Sequence, residues 1–249
     1  MQINKFTKGR NGMYTITLED KNKLTIHEDL ILKHNLLITK EITDSEKEII
    51  LEENKTYEIY EVSLSYINKK LRSSKELRKY LVKKEYPNEL IDNVIDLLSK
   101  EGYLNDQVYA NSFVHDRIIL SMDGPNKIRK ELENNNIEDK YIEESLASYT
   151  EDIELERIEK IVDKQIKLNN NKGANLLKKK IQMHLINLGY NYELINRILN
   201  SKKIVDDNLY KKEYDKLYKQ LSKKYSGREL EYKLKQKLYQ KGFNTNDYE

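Results

Sequence analysis

Side chains that could perform catalysis are few in this 249-residue chain, and their spacing matches no familiar catalytic arrangement. The four histidines are scattered and form no His-Glu-x-x-His zinc motif. His115 and Asp116 are adjacent, but neighbours on a helix face different directions, so we expect solvent exposure or packing for this pair. The absence of cysteine excludes thiolate catalysis and Cys-ligated zinc. The acidic cluster at 151–156 could ligate a hard cation, but a solvated helix face explains it better. We therefore expect no catalytic activity, no metal and no cofactor.

Charged residues occur in blocks, although the formal net charge of the chain is only +3. Residues 69–84 contain eight bases and one acid, 164–184 contain six lysines and no acid, and 211–241 contain eleven bases and four acids. The balance reverses at 138–163, with ten acids and three bases. Such blocks create local fields even when the total charge nearly cancels. They indicate either an acidic partner or a simple solvated surface.

Eleven residues of the basic blocks form the predicted partner-binding set. They are Arg72, Lys75, Arg78, Lys79, Lys83, Lys178, Lys179, Lys180, Lys233, Lys235 and Lys237.

The basic blocks coincide with helices of an internal repeat. Two aliphatic residues four positions apart, on one face of a helix, recur at intervals of 51, 53 and 53 residues. These pairs are Leu77 and Leu81, Ile128 and Leu132, Ile181 and Leu185, and Leu234 and Leu238. The pattern predicts a mainly α fold of tandem three-helix repeats that form an elongated, curved array. The basic blocks then fall on the second helices of repeats one, three and four.

The first sixty residues differ from the repeats. Short Thr- and Tyr-bearing runs at 3–6, 13–18 and 24–26, separated by turn residues, predict a small antiparallel β-meander. We expect a helix at 27–37 and a second helix from a capping box at Thr43 to about Asn54. The first helix of repeat one should then begin near Thr56. Because the N-terminal segment is small, we expect it to pack on this first repeat.

These patterns predict five segments. They are a meander with helices at 1–55, repeats at 56–116, 117–170 and 171–222, and a partial fourth repeat at 223–249. Within them, Tyr103, Leu104, Tyr109 and Phe113 are predicted core residues, and Asn105 or Asp106 is the predicted cap of the helix that follows.

The composition favours a soluble protein. Hydrophobic residues make up 38% of the chain, charged residues make up 35%, and no 18 uncharged apolar residues occur in a row. The N-terminus has no apolar run of signal-peptide length. We expect a cytoplasmic monomer, since a chain without cysteine suits a reducing compartment.

Three motifs follow one another in a distinctive order. An Arg-Ser-Ser-x-Glu-Leu motif at 72–77 precedes Gly-Tyr-Leu-Asn-Asp-x-x-Tyr-Ala at 102–110 and Gly-Pro-x-x-Ile-x-x-x-Leu at 124–132. In this order they resemble the RecX family of RecA regulators, whose members are tandem three-helix repeats. The meander and the fourth repeat resemble the longer RecX proteins of low-GC Gram-positive bacteria.

The resemblance implies a regulatory protein that binds RecA and the RecA filament on single-stranded DNA. It would modulate the ATPase and recombinase activities of RecA in DNA repair and the SOS response, with inhibition as the expected direction and weak, non-specific DNA binding in addition. Two alternatives stay open from the residues themselves. A three-helix unit can act as a helix-turn-helix DNA-binding regulator, and a helical array can be a scaffold for an unrelated protein.

Overall fold

A computed structural model describes residues 1–169, 172–202, 204 and 207–244. The chain begins with three strands, β1 (Ile3–Lys8), β2 (Met13–Leu18) and β3 (Lys23–His27), in an antiparallel sheet of order β1-β2-β3. Phe6 lies opposite Ile16, and Thr15 opposite Thr25. The predicted meander is therefore confirmed.

Helices follow the sheet throughout the rest of the described chain. They are α1 (Glu28–Lys33), α2 (Leu36–Thr39), α3 (Asp44–Ile67), α4 (Ser74–Lys83), α5 (Asn88–Lys100), α6 (Asp106–Leu120), α7 (Pro125–Glu133), α8 (Asp139–Leu146), α9 (Glu151–Leu168), α10 (Ala174–Asn187), α11 (Tyr192–Ser201), α12 (Asp207–Leu221) and α13 (Gly227–Gln240). Among the described residues, no helix has both the length and the apolar character needed to cross a bilayer.

Two predictions for the N-terminal helices are wrong. The helix expected at 27–37 is divided into α1 and α2 by Asn35, whose φ of 53° is left-handed. The break expected between Asn54 and Thr56 does not occur, because α3 continues for 24 residues. Asn54 is buried inside this helix, where its side chain accepts a hydrogen bond from the His27 backbone N–H (2.9 Å) and donates one to the Thr25 carbonyl (2.9 Å). Asn54, which the sequence indicated as the end of a helix, therefore connects α3 to the sheet by hydrogen bonds.

The α3 helix joins two hydrophobic cores. Ile50 packs with the residues of the sheet, including Ile16 and Ile26. Further along the same helix, Ile59 packs with Leu77 and the other residues of repeat one. The predicted packing of the N-terminal segment on the first repeat follows from this shared helix.

The chain divides into two compact units. The first comprises Met1–Tyr109 and Asn135–Ile137, and the second comprises Ala110–Asn134 and the described residues from Glu138 onward. In the second unit, one core cluster joins α9 to α10 and α11. The α3 and α6 helices run across the predicted limits at 55/56 and 116/117. The five segment boundaries stay predictions, and the end of the fourth repeat, 245–249, lies outside the described residues.

Each second helix ends in the same left-handed turn. The residue eight positions after the first aliphatic residue of the pair has a positive φ in all four repeats: 64° at Glu85, 56° at Asn136, 87° at Gly189 and 91° at Gly242. A residue in this conformation ends a helix and sends the chain back across it. The next residue is the aromatic or aliphatic one recognised in the sequence, and it is buried at Ile137, Tyr190 and Phe243.

The second helices of the second unit meet end to end. At the start of α7, Gly124 donates its backbone N–H to the Leu188 carbonyl (2.7 Å), and Asn126 donates to the Gly189 carbonyl (3.0 Å). The start of α10 makes the equivalent contact with the end of α13, where Asn175 donates to the Gly242 carbonyl (3.0 Å). The N-terminal N–H groups of one helix thereby satisfy carbonyl groups at the end of the next.

Candidate binding surface on the second helices

Ten of the eleven predicted binding residues lie on second helices. Lys75, Arg78, Lys79 and Lys83 belong to α4, Lys178–Lys180 to α10, and Lys233, Lys235 and Lys237 to α13. Ser73 caps α4 through a capping box with Glu76. The buried pair Leu77 and Leu81 fixes the inner face of this helix, so most of its bases point away from the core.

Arg72 is half-buried and makes structural contacts, while its assignment to the partner-binding set stays a prediction. It precedes α4, and only 18% of its side chain is exposed. Its guanidinium pairs with the Glu76 carboxylate (3.2 Å) and lies 4.3 Å from the centre of the Tyr66 ring. The Tyr66 ring in turn stacks on Tyr80 at 3.9 Å. Arg72 therefore ties α3 to α4.

Arg78 is also engaged within its own repeat, because it forms an ion pair with Asp92 on α5. The equivalent residues of repeat two, Arg129 and Glu143, form a bidentate pair at 2.5 and 2.9 Å. This hydrogen bonding holds the pKa of Glu143 below its ordinary value.

Repeat three replaces the ion pair with a neutral bridge, in which Gln182 Nε2 donates to Asn196 Oδ1 at 2.7 Å. A polar bridge between the second and third helices thus recurs at one position in three repeats. The positive charge of Arg78 is directed at its own third helix.

The remaining α4 lysines differ in their surroundings. Lys75 donates to Asn136 Oδ1 at 2.7 Å, a neutral acceptor that leaves its charge uncompensated. Lys79 and Lys83 are exposed, and neither forms an ion pair with another described residue. These two ammonium groups are the most accessible positive charges of the helix.

The lysines of α10 and α13 show the same division. Lys178 and Lys233 are half-buried, whereas Lys179, Lys180, Lys235 and Lys237 are exposed. Lys180 donates to Asn169 Oδ1 at 2.7 Å, and the Lys233 ammonium lies 6.0 Å from the centre of the Tyr232 ring.

Two accessible groups of this surface were absent from the predicted set. Lys130 on α7 is exposed and occupies the repeat position of Lys79. Counting charges in blocks missed it, because the acids of 138–163 dominate the count around repeat two. Aligning the repeats on their aliphatic pairs would have found it. Exposed tyrosines on α13 were also missed, since the predicted set was taken from basic residues alone.

Residues considered for other chemistry have structural surroundings. His115 and Asp116 are both exposed to solvent, which is one of the two outcomes expected for this pair, the other being packing. Glu154 of the acidic cluster is buried, and it accepts a hydrogen bond from the Asn191 backbone N–H at 2.7 Å. Burial raises the pKa of this carboxyl group. Among the described residues, no group of His, Asp and Glu side chains is arranged to hold a metal ion.

The motif before α6 serves two helices. Asn105 Oδ1 accepts from the backbone N–H groups of Gln107 and Val108 at 3.0 Å each, so the predicted cap of α6 is confirmed. Asp106 instead accepts from the Ser74 backbone N–H at 2.8 Å and supports the start of α4. Leu104 and Tyr109 are buried as predicted, whereas Tyr103 is 57% exposed and is not a core residue.

Comparison with known proteins identifies this arrangement of helices. Family models of RecX match the chain in two places, the first three-helix domain at residues 60–98 and the second at 105–146. A solved crystal structure of regulatory protein RecX superposes with a TM-score of 0.73 at 22% identity, covering 80% of this chain and 99% of that one. The RecX structure from Lactobacillus salivarius gives a TM-score of 0.55 at 25% identity over 59% of this chain and 95% of that one.

Curated relatives extend the similarity along most of the sequence. A regulatory protein RecX from Bacillus pumilus is 28% identical over 84% of this chain and 79% of its own. The regulatory protein RecX of Lactococcus lactis is 32% identical over 76% of this chain and 71% of its own. Since family models, relatives and solved structures agree, this chain belongs to the RecX family of regulatory proteins.

Proposed function

We propose that this protein binds RecA and the RecA filament on single-stranded DNA, and that it inhibits the ATPase and recombinase activities of the filament in DNA repair and the SOS response. Membership of a family of regulatory proteins supports a role that acts through a partner. The observation that carries the proposal is that exposed lysines recur on second helices of both units: Lys79 and Lys83 on α4, Lys179 on α10 and Lys237 on α13.

The chemistry of these lysines suits a filament. An exposed ammonium group is a flexible point charge that attracts phosphates or acidic side chains without demanding a fixed geometry. Repeats place such groups at several points along one protein, so that a partner with a regular array of negative charge can be contacted repeatedly. A filament of identical subunits on a polyanionic strand has this regularity.

A measurement of RecA ATPase activity on single-stranded DNA tests the proposal. We expect the intact protein to lower the steady-state rate, and the double variant Lys79→Glu/Lys83→Glu to need a higher concentration for the same effect. The matched control is Lys5→Glu/Lys23→Glu, which makes the same charge change on exposed residues of β1 and β3. An ATPase rate unaffected by excess protein would contradict the proposed function. Equal loss of effect in both variants would remove α4 from the binding surface.

A further inference from the structure

The outward face of α13 carries two tyrosines whose side chains are largely exposed. Tyr232 is 65% exposed and Tyr239 is 68% exposed. Seven residues separate them, which is two helical turns, so both rings lie on the same face with a rise of about 10 Å between them. A tyrosine in a helix usually stabilises the fold by burying its ring, and two exposed rings do not make this contribution. Such a pair therefore indicates a binding surface.

The two rings border a shallow groove with a basic lining. The groove has a volume of about 410 Å³ and is open to solvent. Among the residues that the structure describes, Lys235, Gln236, Phe243 and Asn244 complete its lining, and none of these four is acidic. From Lys233 to the end of the helix the sequence contains no acid, and Lys237 is exposed. A polyanion with flat apolar groups fits this combination of charge and rings.

The exposure of the tyrosines is a property of the repeat position. In repeat three the same two positions are Lys179, which is exposed, and Ile186, which is 38% exposed although its repeat has a complete third helix. The position that faces a third helix is that of Gln182, which bonds to Asn196. Its counterpart on α13 is Lys235, not a tyrosine. The rings would thus face solvent whether or not a third helix followed.

Exposed basic and apolar groups also occur on the other second helices of the second unit. The start of α10 contacts the end of α13, and α10 carries the exposed Lys179 and the 56% exposed Met183. The start of α7 contacts the end of α10 in the same way, and α7 carries the exposed Lys130. Accessible lysines are therefore present on all three helices.

We propose that this face binds single-stranded nucleic acid, with Tyr232 and Tyr239 as stacking platforms for bases and the neighbouring lysines as contacts for phosphates. Unpaired bases expose flat faces that stack on aromatic side chains regardless of sequence. A duplex hides these faces, so it can use only the lysines. An acidic protein segment would also meet the lysines, but it would leave two adjacent exposed rings without a role. The proposal does not depend on RecA, because the bare strand is the ligand.

The absence of tryptophan from the chain allows a direct test. The variants Tyr232→Trp and Tyr239→Trp each place a single indole at a proposed stacking position. Titration with an oligothymidylate should quench the fluorescence of both, and a duplex of equal length should quench much less. The matched control is Tyr192→Trp on α11, where the native ring is 58% exposed in the same unit and should show no quenching.

Affinity measurements separate stacking from charge. Each of Tyr232→Ala and Tyr239→Ala should weaken oligothymidylate binding by about tenfold, and Tyr→Phe at either position should restore it, because the ring face is retained. Tyr192→Ala should bind as the unchanged protein does. Circular dichroism checks that the variants fold. Absence of quenching at both positions, unaltered affinity in the double alanine variant, or equal affinity for duplex and single strand would overturn the proposal. Quenching that needs added RecA would assign the rings to a protein contact and overturn it as well.

Discussion

At the scale of single residues, the structure separates basic groups that hold the fold from basic groups that face solvent. Arg72 and Arg78 lie in the same basic block as Lys79, yet each forms an ion pair with an acidic residue of its own repeat. Charge counting cannot make this distinction, because Asp92 is 14 residues from Arg78 and reaches it only when α5 folds back on α4. The repeat alignment could have predicted it, since Arg129 and Glu143 preserve the same spacing.

A pair of charge reversals tests this separation. Arg78→Glu places a carboxylate beside Asp92, so we expect it to lower the free energy of unfolding by about 0.5–1 kcal/mol at low salt, the range for exposed pairs. Lys79→Glu, one residue away and without an ion pair among the described residues, should change it by less than about 0.5 kcal/mol. Urea unfolding of both variants measures the difference. Equal loss of stability in the two would contradict the assigned pairing.

Glu154 provides a second test at this scale. Its carboxyl group is buried with a raised pKa, so the folded chain binds a proton here more readily than the unfolded chain does. The contribution of this group to stability is therefore greatest below the ordinary glutamate pKa and decreases as the pH rises through the raised value. Glu154→Gln keeps an acceptor for the Asn191 N–H and removes the buried charge. We expect it to be at least as stable as the unchanged protein at pH 7, with the difference shrinking towards pH 4.

The leucine substitution at the same position supplies the contrast. Glu154→Leu leaves the Asn191 N–H without its acceptor, and we expect a loss of about 1–3 kcal/mol near pH 4, which becomes smaller towards pH 7 as the buried carboxyl group of the unchanged protein loses its proton. Thermal unfolding followed across pH 4–8 distinguishes the two variants. A glutamine variant that is as unstable as the leucine variant would contradict the role of the hydrogen bond.

At the scale of elements, the left-handed turn after each second helix is the feature that the sequence shows least clearly. Glu85 and Asn136 hold positive φ values where repeats three and four have glycine. No single residue type occurs at this turn in all four repeats. The repeat can therefore be recognised only from the aliphatic pair before the turn and the aromatic or aliphatic residue after it. Local signals were sufficient for caps such as Thr43 and Asn105. They failed at Asn54, where a contact with the sheet overrides the low helix preference of asparagine.

Gly189 tests the end-to-end contact between α10 and α7. A Cβ at this position would lie 2.4 Å from the backbone nitrogen of Lys127, so Gly189→Ala must displace the start of α7. Gly102 is the matched control, because its φ of 80° is similar to the 87° of Gly189 and no heavy atom would lie within 4 Å of an added Cβ. Gly102→Ala should cost about 1–2 kcal/mol for the left-handed backbone alone. Gly189→Ala should cost about 1–3 kcal/mol more.

Urea unfolding of the two glycine variants provides the comparison. Losses of equal size would show that the contact between the helix ends contributes little to the second unit.

At the scale of the whole molecule, a periodic sequence was enough to predict a mainly helical repeat protein with a small sheet, and the structure and the RecX relatives confirm it. The reason is physical, since each repeat has to bury the same inner face and therefore repeats the same apolar spacing. The outer faces carry no such constraint. The residue type at one outer position changes from Lys79 and Lys130 to Met183 and Gln236, so periodicity links the first two repeats but does not identify candidate binding residues in repeats three and four. The elongated form of the array stays a prediction, which small-angle scattering can test.

The central claim is that the RecA filament is the partner of this protein. Its most direct test is the affinity of the protein for bare single-stranded DNA, for free RecA and for the assembled filament, measured under one salt condition. We expect weak, salt-sensitive binding to the bare strand and much tighter binding to the filament, because contacts to successive RecA subunits add together. An affinity for the filament no greater than that for bare DNA would contradict the claim. So would a preference of about a thousandfold for one short duplex sequence, which is the behaviour of a sequence-specific DNA regulator.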